Sequence, residues 1–409
     1  MPNDSTQESG LPTFPFPRTD PFGPPPEYAR LRAEEPISKV TLFNGAKAWL
    51  ITRYEDACRL LADPRISSVQ SAEGYPVITP NEVALLGITT FVSMDPPEHT
   101  AHRRLLIPEF TVKRVRELRP AIQQTVDDLI DRMIAQGPPV DLVPALSLAL
   151  PALVICQILG VPYADREFFH TRTHLMVRGS TAEETGAAAA ELMEYVRTLV
   201  ADKRKNPTDD LLGRLLKNAA KPGASDGDTP RLSEDDVVNI AMLLLGAGYE
   251  TTANMLTLGV LTLLRRPDDR AALCAEPELF PSAVQELLRW LSIADTATRR
   301  VVKADIELDG HVLRAGEGVI VANAAANRDD RMFPDADRLD IRRDARQHLA
   351  FGYGPHQCLG QHLGAAELEI ALSTLFRRLP SLRLAVPLEE LHTQDAIALC
   401  AVTELPVAW

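Results

Sequence analysis

The ten residues Phe351 Gly352 Tyr353 Gly354 Pro355 His356 Gln357 Cys358 Leu359 Gly360 put one cysteine into a bend that two glycines permit, just before a helix-like stretch from Gln361 to Phe376. Backbone N–H groups at the start of that helix lie near the sulfur and carry partial positive charge, so the setting favours a thiolate. Zinc and iron–sulfur centres need several thiolates, and no second cysteine lies nearby. Haem iron is therefore the metal that a lone thiolate fits best. The plainer alternative is a buried, unreactive cysteine beside a glycine turn.

Three further groupings could do chemistry. Ala247 Gly248 Tyr249 Glu250 Thr251 Thr252 sits in the middle of a long apolar run, where the polar residues could simply bond back onto their own helix carbonyls. Glu286 and Arg289 stand three apart on one helical face, which as an exposed pair contributes only a few tenths of a kcal/mol. His99 and Arg103 are one helical turn apart on one face.

The run Phe-Gly-x-Gly-x-His-x-Cys-Leu-Gly, with Tyr353, Pro355 and Gln357 in its free positions, resembles the haem-binding loop of the cytochrome P450 family of haem-thiolate monooxygenases. The resemblance implies Cys358 as the axial ligand of a haem b iron, Phe351 packed against its sulfur, and His356 directed at a haem propionate. Ala247–Thr252 is similar to the family's Ala/Gly-Gly-x-Asp/Glu-Thr. There Gly248 would let the helix pass close over the haem, a locally opened helix hydrogen bond would leave room for dioxygen, Thr251 would hydrogen-bond the oxygen, and Glu250 would relay protons from solvent. Glu286 and Arg289 resemble the family's buried Glu-x-x-Arg, and Arg343 is the implied third member, with a structural role whose loss should empty the haem site. The stretch from Asp95 to Arg104 resembles the family's helix with His-x-x-x-Arg, implying His99 and Arg103 as propionate anchors. Arg300 is the implied third anchor, although the adjacent Arg299 leaves a one-residue register choice, and strand alternation lets only one of the two face the haem.

These likenesses imply a mainly α protein with small β-sheets (α+β) in the cytochrome P450 fold, a trigonal-prism helical domain with its long central helix over the haem. The implied reaction is insertion of one atom of O2 into a hydrophobic small molecule, by hydroxylation or epoxidation, as in soluble actinobacterial members acting on polyketide-like metabolites and xenobiotics. No flavin or nicotinamide domain is present, so electrons should come from a ferredoxin with its ferredoxin reductase, docking near Arg104, Lys113, Arg342 and Arg346. A nitric oxide reductase of the same family takes hydride directly, using a basic cluster and lacking the acid of the acid–alcohol pair. Here Glu250 is present and Ser68, Gln70 and Ala72 stand at the cluster positions. A non-catalytic haem-binding protein has no need of a proton relay. By position in the family, substrate should meet Gln70–Phe91, Phe168–Ser180, Met242–Gly246, Ile293–Thr296 and Ala396–Ala398, which are mostly small or apolar.

Composition agrees. The 409 residues are 45% hydrophobic, enough for a large core, without an internal repeat or obvious linker, so residues 1–409 read as one domain with a Pro-rich arm over residues 1–26. Five widely spaced cysteines do not form a disulfide framework, which points to a reducing cytoplasm. The arm has neither a basic leader nor an apolar stretch, so neither a signal peptide nor a membrane anchor is expected. A net charge of −13, from 43 basic and 56 acidic residues, argues against nucleic acid and anionic membranes as partners.

The positioning elements are mostly helices. Leu118–Ala135 and Leu192–Lys203 repeat apolar residues at helical spacing. Ser233, followed by Glu234, Asp235 and Asp236, predicts the start of a helix of about thirty residues ending at Arg265 Arg266 Pro267. That helix is long enough to cross a bilayer, but Glu250, Thr251, Thr252 and Asn254 in its middle favour a buried central helix instead. Asn44-Gly45 and Asp309-Gly310 each predict a two-residue hairpin, and Gly318–Ala322 reads as a strand. Ala219–Arg231 reads as a surface loop.

Overall fold

The computed structural model describes residues 10–18, 20, 22–80, 90–178, 181–219, 232–394 and 401–409. The predicted loop over Ala219–Arg231 and the segment Ala396–Ala398 fall almost wholly outside them. Helices dominate, with one five-stranded sheet and three small ones among the described residues.

The axis of the molecule is the 31-residue helix Glu234–Leu264. Ser233 starts it with a capping box: its Oγ accepts from Asp236 N while the Asp236 carboxylate accepts from Ser233 N at 2.7 Å. Every residue from Thr252 to Leu263 is buried, so this half, which carries Thr252, Asn254, Thr257 and Thr262 among its apolar residues, is surrounded by protein on all faces. Its neighbours are Ala149–Leu159, Ala182–Lys205 and Gln361–Arg378, all joined in one hydrophobic core. No helix among the described residues is long and apolar enough to cross a membrane. The two other predicted helices occur as Val112–Gln136 and Ala182–Lys205.

In the larger sheet, Lys47–Ile51 pairs antiparallel with Ile37–Thr41 and parallel with Gly318–Val321, which pairs antiparallel with Thr298–Val302. Ile66–Ser67 closes the other edge. The two Asx-Gly signals produce different turns. Leu308 pairs directly with His311, and Asp309 and Gly310 both take positive φ (43° and 79°), as a two-residue primed turn requires. At Asn44-Gly45 only the glycine is left-handed, and Leu42 N donates to Ala46 O at 2.8 Å, so three residues form the loop. The predicted two-residue turn is thus replaced by a three-residue hairpin with glycine at its left-handed position.

Candidate active site

The cysteine loop is held from within. Cys358 N donates to Phe351 O at 2.8 Å, and Gly352 and Gly354 take φ of 69° and 75°. A Cβ on Gly354 would run into the Leu61 carbonyl, so that position needs glycine for space as well as for conformation. The next helix runs over Gln361–Arg378. Burial pushes the Cys358 thiol above its ordinary value, opposed by N–H groups of Gly360 and Gln361 and by the Arg103 guanidinium. The helix start alone therefore does not secure the expected thiolate; a metal cation bonded to sulfur would. Although the sulfur is deep in the fold, Cys358 carries open surface, and that surface faces a cavity of about 320 Å³.

The cavity joins the elements that the sequence singles out. Phe351, His356 and Cys358 line it from the loop, Ala247, Thr251 and Thr252 from the central helix, and Arg300 from strand Thr298–Val302. A larger cleft of about 890 Å³ lies on the other side of the loop, but it does not reach Cys358, and Arg53 and Asp309 in its wall pair with each other.

Beside the cavity the basic side chains gather. His99 lies on helix Glu98–Phe110 and stacks on His356 with ring centroids 3.8 Å apart. Arg103, one turn on, donates to Gln357 O at 2.5 Å. Burial, then Arg103 and Arg300, bring the His99 pKa down to about 4; burial, Arg300 and His99 bring that of His356 to about 3. Both ring nitrogens of His99 are buried with no hydrogen-bond partner. Two arginines beside two histidines that burial and the arginine charge keep neutral, with unsatisfied buried nitrogens among them, form the set that an anionic carboxylate would satisfy. Haem fits here: the lone sulfur faces the cavity and the propionate-type donors stand at its edge. Arg300, not Arg299, lines the cavity.

Glu286, Arg289 and Arg343 come together against the segment that precedes the loop. Glu286 and Arg289 are both 0% exposed and form a two-pronged pair at 2.7 and 2.8 Å, so the spacing belongs to a buried lock and not to a surface pair. Arg343 Nε reaches Glu286 Oε1 at 3.1 Å. Arg289 also donates to the carbonyls of Asn327 and Ala336, and Asp340 N donates to Glu286. Each charge is thereby met inside the protein.

On the central helix three expectations change. The helix is continuous through Ala247–Thr252, without the expected opening, and Thr251 Oγ1 donates to Ala247 O at 2.9 Å. Ala247 lines the cavity, whereas Gly248 does not. The carbonyl-bonded threonine is the same geometry that a purely structural reading predicts; its place on the cavity wall is what sets it apart. Glu250 is half-buried one residue away and does not line the cavity.

Of the expected substrate segments, Gln70, Tyr75, Ile293 and Ala294 line the cavity, while the described parts of Phe168–Ser180 and Met242–Gly246 do not. Sequence reasoning missed Thr298, Asn323, Met255, Gly364 and Leu368, which also line it. Gly364 and Leu368 share one face of helix Gln361–Arg378, but Thr298, Asn323 and Met255 come from three other elements, and the group meets only in the fold.

The cytochrome P450 family profile matches residues 166–387. The chain is 48% identical to cytochrome P450 105A3 of Streptomyces carbophilus, over 97% of this chain and 96% of that one. It is 45% identical to vitamin D3 dihydroxylase of Streptomyces griseolus, over 98% of both. Among solved structures, cytochrome P450 MoxA from Nonomuraea recticatena superposes with a TM-score of 0.92 at 46% identity, covering 97% of this chain and 98% of that one.

Proposed function

This chain belongs to the cytochrome P450 family and is a P450 monooxygenase, and from that premise we propose how its own residues carry the reaction. The proposed protein is one cytoplasmic domain that holds haem b and inserts one atom of O2 into a hydrophobic small molecule, with electrons from a ferredoxin. The observation that carries this reading is the convergence of Cys358, Thr251 and Arg300 on one cavity.

Bound haem supplies the iron at which dioxygen is activated. Cys358 would be its thiolate ligand, fixed by the Phe351 carbonyl. His99, Arg103, Arg300 and His356 would receive the propionates, exchanging mutual repulsion for charge-assisted bonds. Glu286, Arg289 and Arg343 would hold the segment before the loop. Thr251 would turn its hydroxyl from the Ala247 carbonyl toward the cavity, and Glu250 would move protons to it from solvent. The mostly apolar wall with Ile293, Ala294, Ala297 and Met255 favours a hydrophobic substrate; the relative named vitamin D3 dihydroxylase supports that class.

Electron delivery would use the thiolate side. Arg342 and Arg346 border a third cavity, of about 580 Å³, together with Phe351, Gln357 and Gln361, and Arg104 and Lys113 are exposed, as are Ile107 and Val112 on the same stretch of chain. Arg342 and Arg346, each also paired with a carboxylate (Glu276 and Asp344), together with Arg104 and Lys113 would meet the acidic face of an iron–sulfur protein.

The test is the reduced protein exposed to carbon monoxide. A red-shifted Soret band that Cys358→His converts to the band of an imidazole-ligated haem is the expected result. An ordinary imidazole-type band in the wild-type protein would overturn the reading.

A further inference from the structure

Arg299 and Arg300 are consecutive on strand Thr298–Val302, so their side chains leave opposite faces. Arg300 turns to the cavity. Arg299 Nη1 instead donates to Pro76 O at 3.2 Å, and its guanidinium lies 5.7 Å from the centre of the Tyr75 ring. Tyr75 and Gln70 belong to the irregular segment Ser68–Pro76, and both line the cavity.

That segment makes only two turns of its own, Ala72 N to Val69 O and Tyr75 N to Ala72 O. Its shape comes from the sheet on which it lies. Gly74 takes φ 83°, and a Cβ there would collide with the Gly316 carbonyl. A Cβ on Gly318 would press on the Gly74 carbonyl and stand 3.2 Å from Pro76 Cδ. Backbone thus meets backbone closely at Gly74, Gly316 and Gly318, and Arg299 reaches from the strand to this segment.

We propose that Arg299 is a positioning residue for substrate: by gripping the Pro76 carbonyl and the face of Tyr75, it fixes the Gln70–Pro76 wall of the pocket. The tandem arginines divide the work, one toward the cofactor edge and one toward the shape of the substrate space. This assignment rests on the monooxygenase reading for the word substrate, but the anchoring itself does not need it.

The test uses the full-length, haem-loaded protein with Arg299→Leu, Arg299→Lys and Gly318→Ala. Amide hydrogen exchange of residues 68–76 is read first, because it does not depend on activity. Loss of a charge-assisted anchor predicts about tenfold faster exchange in Arg299→Leu and about tenfold weaker spectral binding of clotrimazole, a bulky azole that must fit against the wall. Imidazole, which needs only the iron, should bind within about twofold of wild type, and haem content should not change. Arg299→Lys should fall between, since it keeps the donor and loses the planar stack. Gly318→Ala should mimic Arg299→Leu from the other side of the contact. Unchanged exchange and clotrimazole affinity in Arg299→Leu would overturn the proposal, as would loss of haem matching that of Arg300→Leu. A wild-type protein without the thiolate-type carbon monoxide band would sink the parent reading alone, leaving the exchange result to decide the anchor.

Discussion

The two sides of the cavity are built on opposite principles. On the sulfur side one contiguous loop is closed by Cys358 N on Phe351 O at 2.8 Å, and the segment before it is locked by Glu286, Arg289 and Arg343 through largely buried bonds of 2.7 to 3.1 Å. On the facing side the wall is gathered from the central helix, the Ser68–Pro76 segment and the residues around Ile293 to Thr298, and no short motif spans them. Ion pairs sharpen the contrast. Glu286–Arg289 is fully enclosed, while Glu276–Arg342, at 2.6 Å, has side chains 45% and 52% exposed. Similar geometry has different worth, because water competes for the second pair and not for the first. The sulfur side is thus specified by the enclosed ion pairs and hydrogen bonds around Glu286, and the facing side by how separate elements happen to meet.

The strongest way to break this contrast is Glu286→Gln. It leaves Arg289 charged and enclosed, which should cost about 3–5 kcal/mol and most of the bound haem, whereas Glu276→Gln should cost no more than about 1 kcal/mol. Thermal unfolding and haem content of the two variants check this, and equal losses would remove the distinction. On the facing side, Glu250→Gln and Thr251→Ala should lower product formation about 100-fold with stability little changed, since a proton relay and not a packing contact is lost. Product formed per nicotinamide oxidised, with peroxide assayed alongside, measures it.

A pH experiment probes the sulfur-side helix at Glu367, which is buried, has Oε2 without a partner, and is pushed by burial from 4.5 up to about 8. The unfolded chain releases this proton near 4.5 and the folded one only near 8. The folded state is therefore favoured fully below about 4.5 and loses that advantage as pH rises to about 8. Glu367→Gln should flatten the fall of melting temperature across this window, at most about 1.4 kcal/mol per pH unit of slope. The smallest effect is expected at the rim. Reversing the charge of Arg342 and Arg346 together should slow reduction by a ferredoxin severalfold, more at low salt, and leave substrate affinity alone. Stopped-flow reduction at two ionic strengths tests it.

The cysteine loop was legible because its chemistry is local: two glycines, a histidine, a cysteine and a helix start lie within a dozen residues. The central helix announced itself through Ser233 and the acids of its first turn, which the capping geometry repeats. Other signals were ambiguous on their own. Asn44-Gly45 and Asp309-Gly310 look alike in sequence, yet one closes with three residues and the other with two, because the pairing of flanking strands chooses the turn. Gly248 was expected over the cavity and Ala247 lines it instead, a one-residue rotation that helical periodicity does not fix.

By itself, the chain determined that a single sulfur sits at a tight bend before a helix, that a long apolar helix carries an acid and an alcohol at its middle, and that His99 and Arg103 share one helical face. Only the tertiary structure decided that Glu286 and Arg289 are enclosed, that Arg300 faces the cavity while Arg299 grips Pro76, and that Thr298, Asn323 and Met255 share one wall. The physical reason is range: bends, caps and helical faces are set by neighbours a few residues away, whereas burial and the meeting of distant segments depend on how the whole chain packs.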